Sequence, residues 1–364
     1  MKKIDWYIIS KFLKTFFFSI FLFTIISVVI DVGEKTDNFV QSGWSLYKII
    51  TDYYFSFIPH IIALLFPLFV FIAVIFFTSK MAGRSEIVAI LASGTSFRRF
   101  LRPYMVTGIA LALLLGFAAS FVVPKAEVKR TYFEDVYVHG NSNYAKLTKK
   151  DPLLYFKLDS FSYAGIRNFN AETKSGGPFF VNRIKNNELV YNLRASTIRW
   201  DTAGGPHWNL SQVVERTING MKETVTSSND KKVSFNFDPS NLKNDDYAEV
   251  KMTTPELKSY IKQEQLRGSE DINTFKIEYY RRFTTPFSVL ILTMIGVILS
   301  SRKVRGGSGA HLALGFVMAA TFIVMDRFST IFSTKGNFTP MLAAWLPNFV
   351  FTLVAIYLYR KAPK

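Results

Sequence analysis

Six stretches of the chain are almost unbroken in apolar residues: Thr15 to Ile30 (extended by Phe12 and Leu13), Ile61 to Ser79, Pro103 to Pro124, Phe283 to Ser301, Gly306 to Met325 and Gly336 to Tyr359. A helix that crosses the hydrocarbon core of a bilayer needs about 20 mostly apolar residues, so each stretch predicts a membrane span. Lys14 falls inside the extended first stretch but within a turn of its end, where its stem reaches the headgroups. The first stretch ends at Ile30-Asp31 without the small-residue site of a cleaved signal peptide, and is read as a retained anchor.

Between the third and fourth stretches the period changes to two. Leu154, Phe156 and Leu158 alternate with Tyr155, Lys157 and Asp159, and Leu189, Tyr191 and Leu193 alternate with Val190, Asn192 and Arg194 on the way to Ile198-Arg199-Trp200. Turn signals punctuate this region at Ser175-Gly176-Gly177-Pro178, Asn186-Asn187, Ala203-Gly204-Gly205-Pro206 and Ser227-Ser228-Asn229-Asp230. Short strands at such spacing predict an all-β domain, a sandwich or a jelly-roll-like fold. It closes with a helix starting at Thr254-Pro255-Glu256-Leu257, Thr254 capping and Pro255 at the first helical position. A second helix, from about Asn273, leads into the fourth span. The fold class is therefore an α-helical polytopic membrane protein of six spans with an inserted β domain, divided as 1–124, 125–272 and 273–364.

Charge gives the spans a direction. Lys2, Lys3, Lys11 and Lys14 precede the first span, Lys80, Arg84, Arg98, Arg99 and Arg102 separate the second from the third, Arg302, Lys303 and Arg305 the fourth from the fifth, and Arg360, Lys361 and Lys364 end the chain. Basic loops stay cytoplasmic, so both termini read as cytoplasmic and the β domain as periplasmic. Asp31, Glu34, Asp37 and Asp52 in the first outer connection fit that orientation. The net charge of +17 sits largely beside the apolar stretches, which favours an anionic membrane or lipid over nucleic acid. With no cysteine in 364 residues, disulfides and thiolate chemistry are excluded.

Few residues carry chemistry. His139 and His207 lie far apart, and the chain has no nucleophile elbow and no phosphate loop; Gly306-Gly307-Ser308-Gly309 lacks the lysine of a nucleotide loop and reads as a tight turn. No catalytic or metal site is expected, and no cofactor. The cytoplasmic run Gly83 to Gly94 is more informative. Ile87, Ile90 and Leu91 share one helical face, Arg84 or Ser85 starts the helix and Gly94 stops it, giving a short amphipathic helix over about 84–94. It is either an interfacial anchor or a docking element for a cytoplasmic motor. Asp326-Arg327, near the outer end of the fifth span, is either a solvated helix end or part of a gate held by ion pairs. Lys125, Lys129 and Arg130, just beyond the third span, are placed as cations at headgroup depth.

Gly83-Arg84-Ser85-Glu86-Ile87-Val88 with Ala92-Ser93-Gly94 closely resembles the coupling segment of the LptF/LptG permease family, the paired membrane subunits of the lipopolysaccharide export ABC transporter. Val123-Pro124, Thr254-Pro255-Glu256-Leu257 and Arg282-Phe283-Thr284-Thr285-Pro286-Phe287-Ser288 are similar to that family as well. The resemblance implies an inner-membrane permease that takes lipopolysaccharide from the outer leaflet and passes it to a periplasmic bridge. Its partners would be an LptB-type ATPase dimer, which carries the ATP and Mg, a second LptF/LptG-type permease and an LptC-type jelly-roll protein. It further implies that Glu86, with Arg84, Ser85, Ile87, Ile90 and Leu91, engages the ATPase. Lys35, Lys125, Lys129 and Arg130 would meet substrate phosphates, with His60 where relatives carry lysine. The alternative is a polytopic enzyme or assembly factor acting on a lipid-linked glycan, for which Asp31, Glu34 and Asp37 are the nearest acids.

Overall fold

The computed structural model describes residues 2–139, 153–170, 173–185, 187–202, 205–237, 239, 248–267, 272–302 and 308–362. The predicted turn at Gly306-Gly307 and parts of those at Asn186 and Ala203-Gly204 lie outside the described residues. The chain forms two compact units. One comprises Met1–His139, Glu249–Leu257 and Asn273–Lys364, the other Gly140–Ala248 and Lys258–Ile272.

The first unit holds six helices long and apolar enough to cross a membrane. Helix α1 (Lys3–Ser42) is continuous for 40 residues, about 60 Å at 1.5 Å per residue. It stops at Gly43, whose φ of 64° suits a residue without a side chain. Asp31, Glu34 and Asp37, expected in a connecting loop, therefore lie on this helix. Helix α2 (Leu46–Gly83) includes a π-helical turn at Ile49–Tyr54, and the short α3 (Glu86–Ala92) follows.

Helix α4 (Phe97–Phe133) does not end at Val123-Pro124 as expected. Pro124 has no N–H to donate, and the chain widens into a π-helical turn over Ala118–Val122 just before it, so the helix continues. The later spans are α7 (Ile272–Ser300), α8 (Ser308–Thr334) and α9 (Pro340–Arg360), with α5 (Ala248–Lys251) and α6 (Thr254–Arg267) preceding them. Thr253, one residue before the expected cap, opens α6: the N–H and hydroxyl of Thr253 both donate to Glu256 Oε2, at 2.8 and 2.7 Å.

Aromatic and branched side chains such as Phe12, Phe16, Phe69, Val74 and Tyr104 fill the interior of the first bundle. Phe18, Phe21, Leu113, Phe316 and Phe349 point outward with more than half their surface exposed, as lipid-facing residues do where the solvent is itself apolar. Helices α2 and α7 approach closely at Gly296, where a Cβ would stand 2.9 Å from Val74 and 3.2 Å from Phe71.

The second unit contains a seven-stranded antiparallel sheet. Its strands are β1 (Leu153–Lys157), β2 (Ser162–Arg167), β3 (Ser175–Gly176), β4 (Phe179–Lys185), β5 (Glu188–Asp201), β6 (His207–Asn219) and β7 (Lys222–Val233). They run in the order β1-β2-β4-β5-β6-β7, with β3 pairing β5. This is a meander of chain neighbours, and no Greek-key crossover occurs among the described strands. Alternation buries Ala164, Ile166, Phe179, Val181, Leu193, Ala195, Leu210 and Val213 on one face around Trp208. Ser227 to Asp230, expected as a turn, lies inside β7. That strand is largely exposed, so polar residues cost little there, and the chain reverses instead at Gly220, with φ of 59°.

Candidate functional site

At the end of the bundle where α1 outruns its apolar stretch, six side chains from three helices form an unbroken chain of charge contacts. Asp31 accepts hydrogen bonds from Tyr53 and Tyr54 at 3.1 and 3.2 Å, and lies 3.0 Å from Lys35 Nζ one turn later. Lys35 donates to Tyr53 Oη at 2.5 Å and to Glu134 Oε1 at 2.9 Å. Glu134 Oε2 accepts from Arg130 Nη1 at 2.6 Å. Arg130 grips Glu127 through Nε and Nη2, at 2.9 and 2.7 Å from the same carboxylate oxygen. The other oxygen of Glu127 lies 2.5 Å from His60 Nδ1, an ion-pair approach without good hydrogen-bond alignment.

Local geometry explains the cluster. Glu127, Arg130 and Glu134 recur at i, i+3 and i+7, the first two on α4 and Glu134 opening the π-helical turn Glu134–His139 that continues it, so they line up along one side. The wide π-helical turn of α2 lets two consecutive tyrosines reach one carboxylate. Phe39, Phe57 and Phe133 pack around those tyrosines. Glu127 is fully buried, Asp31 is 6% and Arg130 9% exposed, so each charge depends on its partners rather than on water. Three carboxylates face two fixed cations and one imidazole.

This arrangement separates the cations that the sequence grouped together. Lys35, His60 and Arg130 already lie against carboxylates of their own chain. Lys129 is more exposed and pairs with Asp52 at 2.8 Å. Lys125 is exposed, and among the described residues no carboxylate lies within ion-pair distance of it. It stands near Glu256, whose carboxyl is held below the usual range first by the Thr253 hydroxyl and backbone, with Lys125 and Arg282 adding to the effect. Of the three acids weighed for catalysis, Asp31 is bonded inside the network while Glu34 and Asp37 are exposed on α1.

A cavity of about 570 Å³ opens among α2, α4, α7, α8 and α9. Apolar residues form most of its described wall, including Leu64, Leu68, Leu115 and Phe322, and charge gathers at His60, Glu127, Glu278, Arg281, Arg282, Asp326 and Arg327. Asp326 and Arg327 do not pair with each other in the structure. Arg281 of α7 donates to Asp326 and, at 2.9 Å, to Thr330, while Arg327 is exposed and lines the cavity. Arg282 is buried and donates to Thr254 Oγ1 at 3.2 Å and the Glu249 carbonyl at 3.1 Å, tying the segment before α6 to α7.

At the opposite end of α1, Asp5 accepts from Arg99 at 2.6 Å, and Tyr7 donates to Glu86 at 3.1 Å. Helix α3 starts after Ser85, which has φ of 59°, and ends before Gly94, with φ of 86°. Ile87 is buried, and Ile90 and Leu91 pack against the same interior cluster. The apolar face read as a docking surface thus holds α3 to its own spans. Val88, Ala89 and Ala92 of the helix and Arg84 just before it are exposed, and Glu86 is half-buried.

Sequence reasoning missed Glu127, Glu134, Arg281 and the tyrosine pair. The i, i+3, i+7 spacing of Glu127, Arg130 and Glu134 was a usable signal; nothing local marked Arg281 as the partner of Asp326. Among the described residues no cluster of histidine and acids could hold a metal ion.

Six apolar helices, charges buried in pairs among them and a separate antiparallel sheet define a polytopic membrane protein. Its sequence matches the family described as lipopolysaccharide export system permease LptF/LptG over residues 6–361, and the chain belongs to that family as a lipopolysaccharide export permease subunit of the inner membrane. The lipopolysaccharide export system permease protein LptG of Escherichia coli K12 is 22% identical to it over 369 residues, spanning 98% of both chains. The protein of the same description from Escherichia coli O6:H1 strain CFT073 matches to the same extent.

Proposed function

We propose that this subunit pairs with a second LptF/LptG-type permease, draws lipopolysaccharide from the outer leaflet of the inner membrane and delivers it to a periplasmic bridge, driven by an LptB-type ATPase dimer. Family membership across nearly the whole chain carries the reading, and the relatives in both Escherichia coli strains are export permeases by description. The distribution of lysine and arginine supports cytoplasmic termini and a periplasmic sheet unit. That unit is jelly-roll-like in this reading, and an LptC-type jelly-roll protein is its neighbour on the route to the bridge.

Coupling to the ATPase runs through α3. Glu86, Arg84 and Val88 contact the motor, while Ile87, Ile90 and Leu91 fix the helix to the bundle that must move. ATP and Mg belong to the ATPase, and this chain needs no cofactor. Substrate phosphates meet Lys125 and Lys129 first, because these are exposed and, among the described residues, no carboxylate lies within ion-pair distance of Lys125. Lys35, His60 and Arg130 act from the paired network behind them, and the Arg281–Asp326 pair and Arg327 form the charged rim of the apolar cavity.

The test is a set of variants of the complete transporter in lipid nanodiscs. Lys125→Glu with Lys129→Glu should lower photocrosslinking of lipopolysaccharide several-fold with folding intact. Glu86→Lys should lower lipopolysaccharide-stimulated ATP turnover several-fold. Unchanged crosslinking in the first would remove the phosphate contacts, and normal turnover in the second would remove the coupling role.

A further inference from the structure

We propose that the sheet unit carries, on the face turned away from its core, a site for a phosphorylated saccharide. Side chains alternate along a strand, so where Ile166, Phe179, Val181, Leu193 and Ala195 face inward, their neighbours face the other way. Arg167 on β2, Phe180 and Asn182 on β4, and Asn192 and Arg194 on β5 line a shallow groove there of about 380 Å³. Among the described residues lining it none is acidic.

The register makes these residues one constellation. Phe180 stands opposite Arg194, and Asn182 opposite Asn192. Across the other edge of β4, Phe180 faces Gly165 of β2. A Cβ at Gly165 would stand 2.4 Å from the Phe180 ring, so the ring lies down over bare glycine backbone and forms a flat apolar platform. Asn192 Nδ2 donates to Asn182 Oδ1 at 2.6 Å, which fixes both amides and leaves the Asn182 nitrogen and the Asn192 carbonyl to turn to a ligand.

Charge marks the groove as well. Two arginines elsewhere on the sheet are matched, Arg183 lying 3.7 Å from Asp159 and Arg216 pairing with Glu223, whereas the exposed Arg199 of β5 has no carboxylate partner among the described residues. Arg167 and Arg194 are exposed, and among the described residues neither has a carboxylate partner. They sit two strand spacings apart and two residues out of register, about 12 Å. Two planar forks suited to bidentate phosphate binding thus bracket an aromatic platform and an amide pair. The forks suit anionic groups, the ring the C–H face of a sugar, and the amides its hydroxyls. An acidic peptide would use the arginines alone. The saccharide portion of the exported glycolipid is the ligand, which rests on the reading of the sheet unit as a part of the chain that meets substrate.

The experiment uses the full chain in detergent and a glucosamine disaccharide bisphosphate as the probe, with binding followed by calorimetry. The wild type should bind it at least tenfold more tightly than either the unphosphorylated disaccharide or inorganic phosphate. Arg167→Glu with Arg194→Glu should weaken it at least tenfold, and Phe180→Leu several-fold. The milder Arg167→Gln with Arg194→Gln guards against misfolding, and retention of the near-ultraviolet signal of the Trp200–Trp208 pair reports an intact core. No binding by the wild type, equal affinity for inorganic phosphate, or unchanged affinity in the charge-reversed variant overturns the site. Intact lipopolysaccharide is titrated in parallel: if it binds and the probe does not, only this site fails, whereas loss of intact lipopolysaccharide binding would count against the proposed function.

Discussion

Arg130 distinguishes two physical pictures, a cation waiting for a substrate phosphate and a cation that holds the bundle together. Replacing it with methionine keeps most of its volume and removes three charge-assisted contacts, at 2.6, 2.7 and 2.9 Å. Glu127, fully buried, is left with His60, and Glu134 with Lys35. Removing one partner of a buried pair costs about 3–5 kcal/mol. Because each stranded acid keeps one neighbour, the lower end applies, about 3 kcal/mol or roughly a 150-fold shift in the unfolding constant. Glu127→Gln added to Arg130→Met removes the stranded charge, so the double variant should recover about 1–2 kcal/mol of the summed losses. Lys129→Met, which breaks only the exposed pair with Asp52, should cost under about 1 kcal/mol. The assay is equilibrium unfolding of the wild type, Arg130→Met, Glu127→Gln, their double variant and Lys129→Met in mixed micelles. A loss under about 1 kcal/mol for Arg130→Met, with additive behaviour in the cycle, would refute the structural role. Weaker lipopolysaccharide crosslinking at unchanged stability would then assign Arg130 to the substrate.

Other perturbations test separate contacts. Tyr7→Phe removes the 3.1 Å bond to Glu86 while leaving Ile87 buried; it should cost about 1 kcal/mol or less and lower ATP turnover less than Glu86→Lys does. Gly296→Leu places a side chain against Val74 and Phe71 and should separate α2 from α7, seen as a large drop in thermal stability, with Gly296→Ala milder. In the sheet unit, the N–H groups of Phe161 and Ser162 donate to Asp159 at 2.8 Å each and hold its carboxyl below the usual range. A depressed native pKa contributes stability that is complete above the ordinary value of about 4 and lost as pH falls through the native one. Asp159→Asn should therefore raise amide exchange at these two residues at neutral pH, and the difference from wild type should vanish in acid.

The spans were legible because crossing a bilayer leaves a signature over some twenty residues that no local contact can erase. Their ends were not. Hydropathy placed an exit at Pro124, but a π-helical turn absorbed the proline and carried the helix to Phe133, so Lys125, Lys129 and Arg130, read as lying just beyond the span, are part of the same continuous helix. Period two found β1 and β5 readily. It failed at Ser227 to Asp230, because an exposed strand with few buried neighbours carries little hydrophobic pattern to read. In the site, each of Lys35, His60 and Arg130 was visible as a cation. Their neutralisation by Asp31, Glu134 and Glu127 depends on contacts between helices up to 99 positions apart, which no short-range pattern contains.

The energetics of the two ends bear on how such a subunit can move. At one end, α1, α2 and α4 are joined by ion pairs whose rupture leaves buried charges unmatched, at about 3–5 kcal/mol for each partner lost. At the other, α3 is held by burial of Ile87, about 2–3 kcal/mol, and by the Tyr7–Glu86 bond, about 1 kcal/mol. Asp5 and Arg99 join α1 to α4 there as well. A displacement applied to α3 is therefore opposed by several kcal/mol before the helix detaches, and by more before the three long helices part. The low-energy response is motion of α1, α2, α3 and α4 as one body. If the ATPase acts on α3 as proposed, the buried network holds the three helices together so that a push at one end reaches the cations of the other undivided.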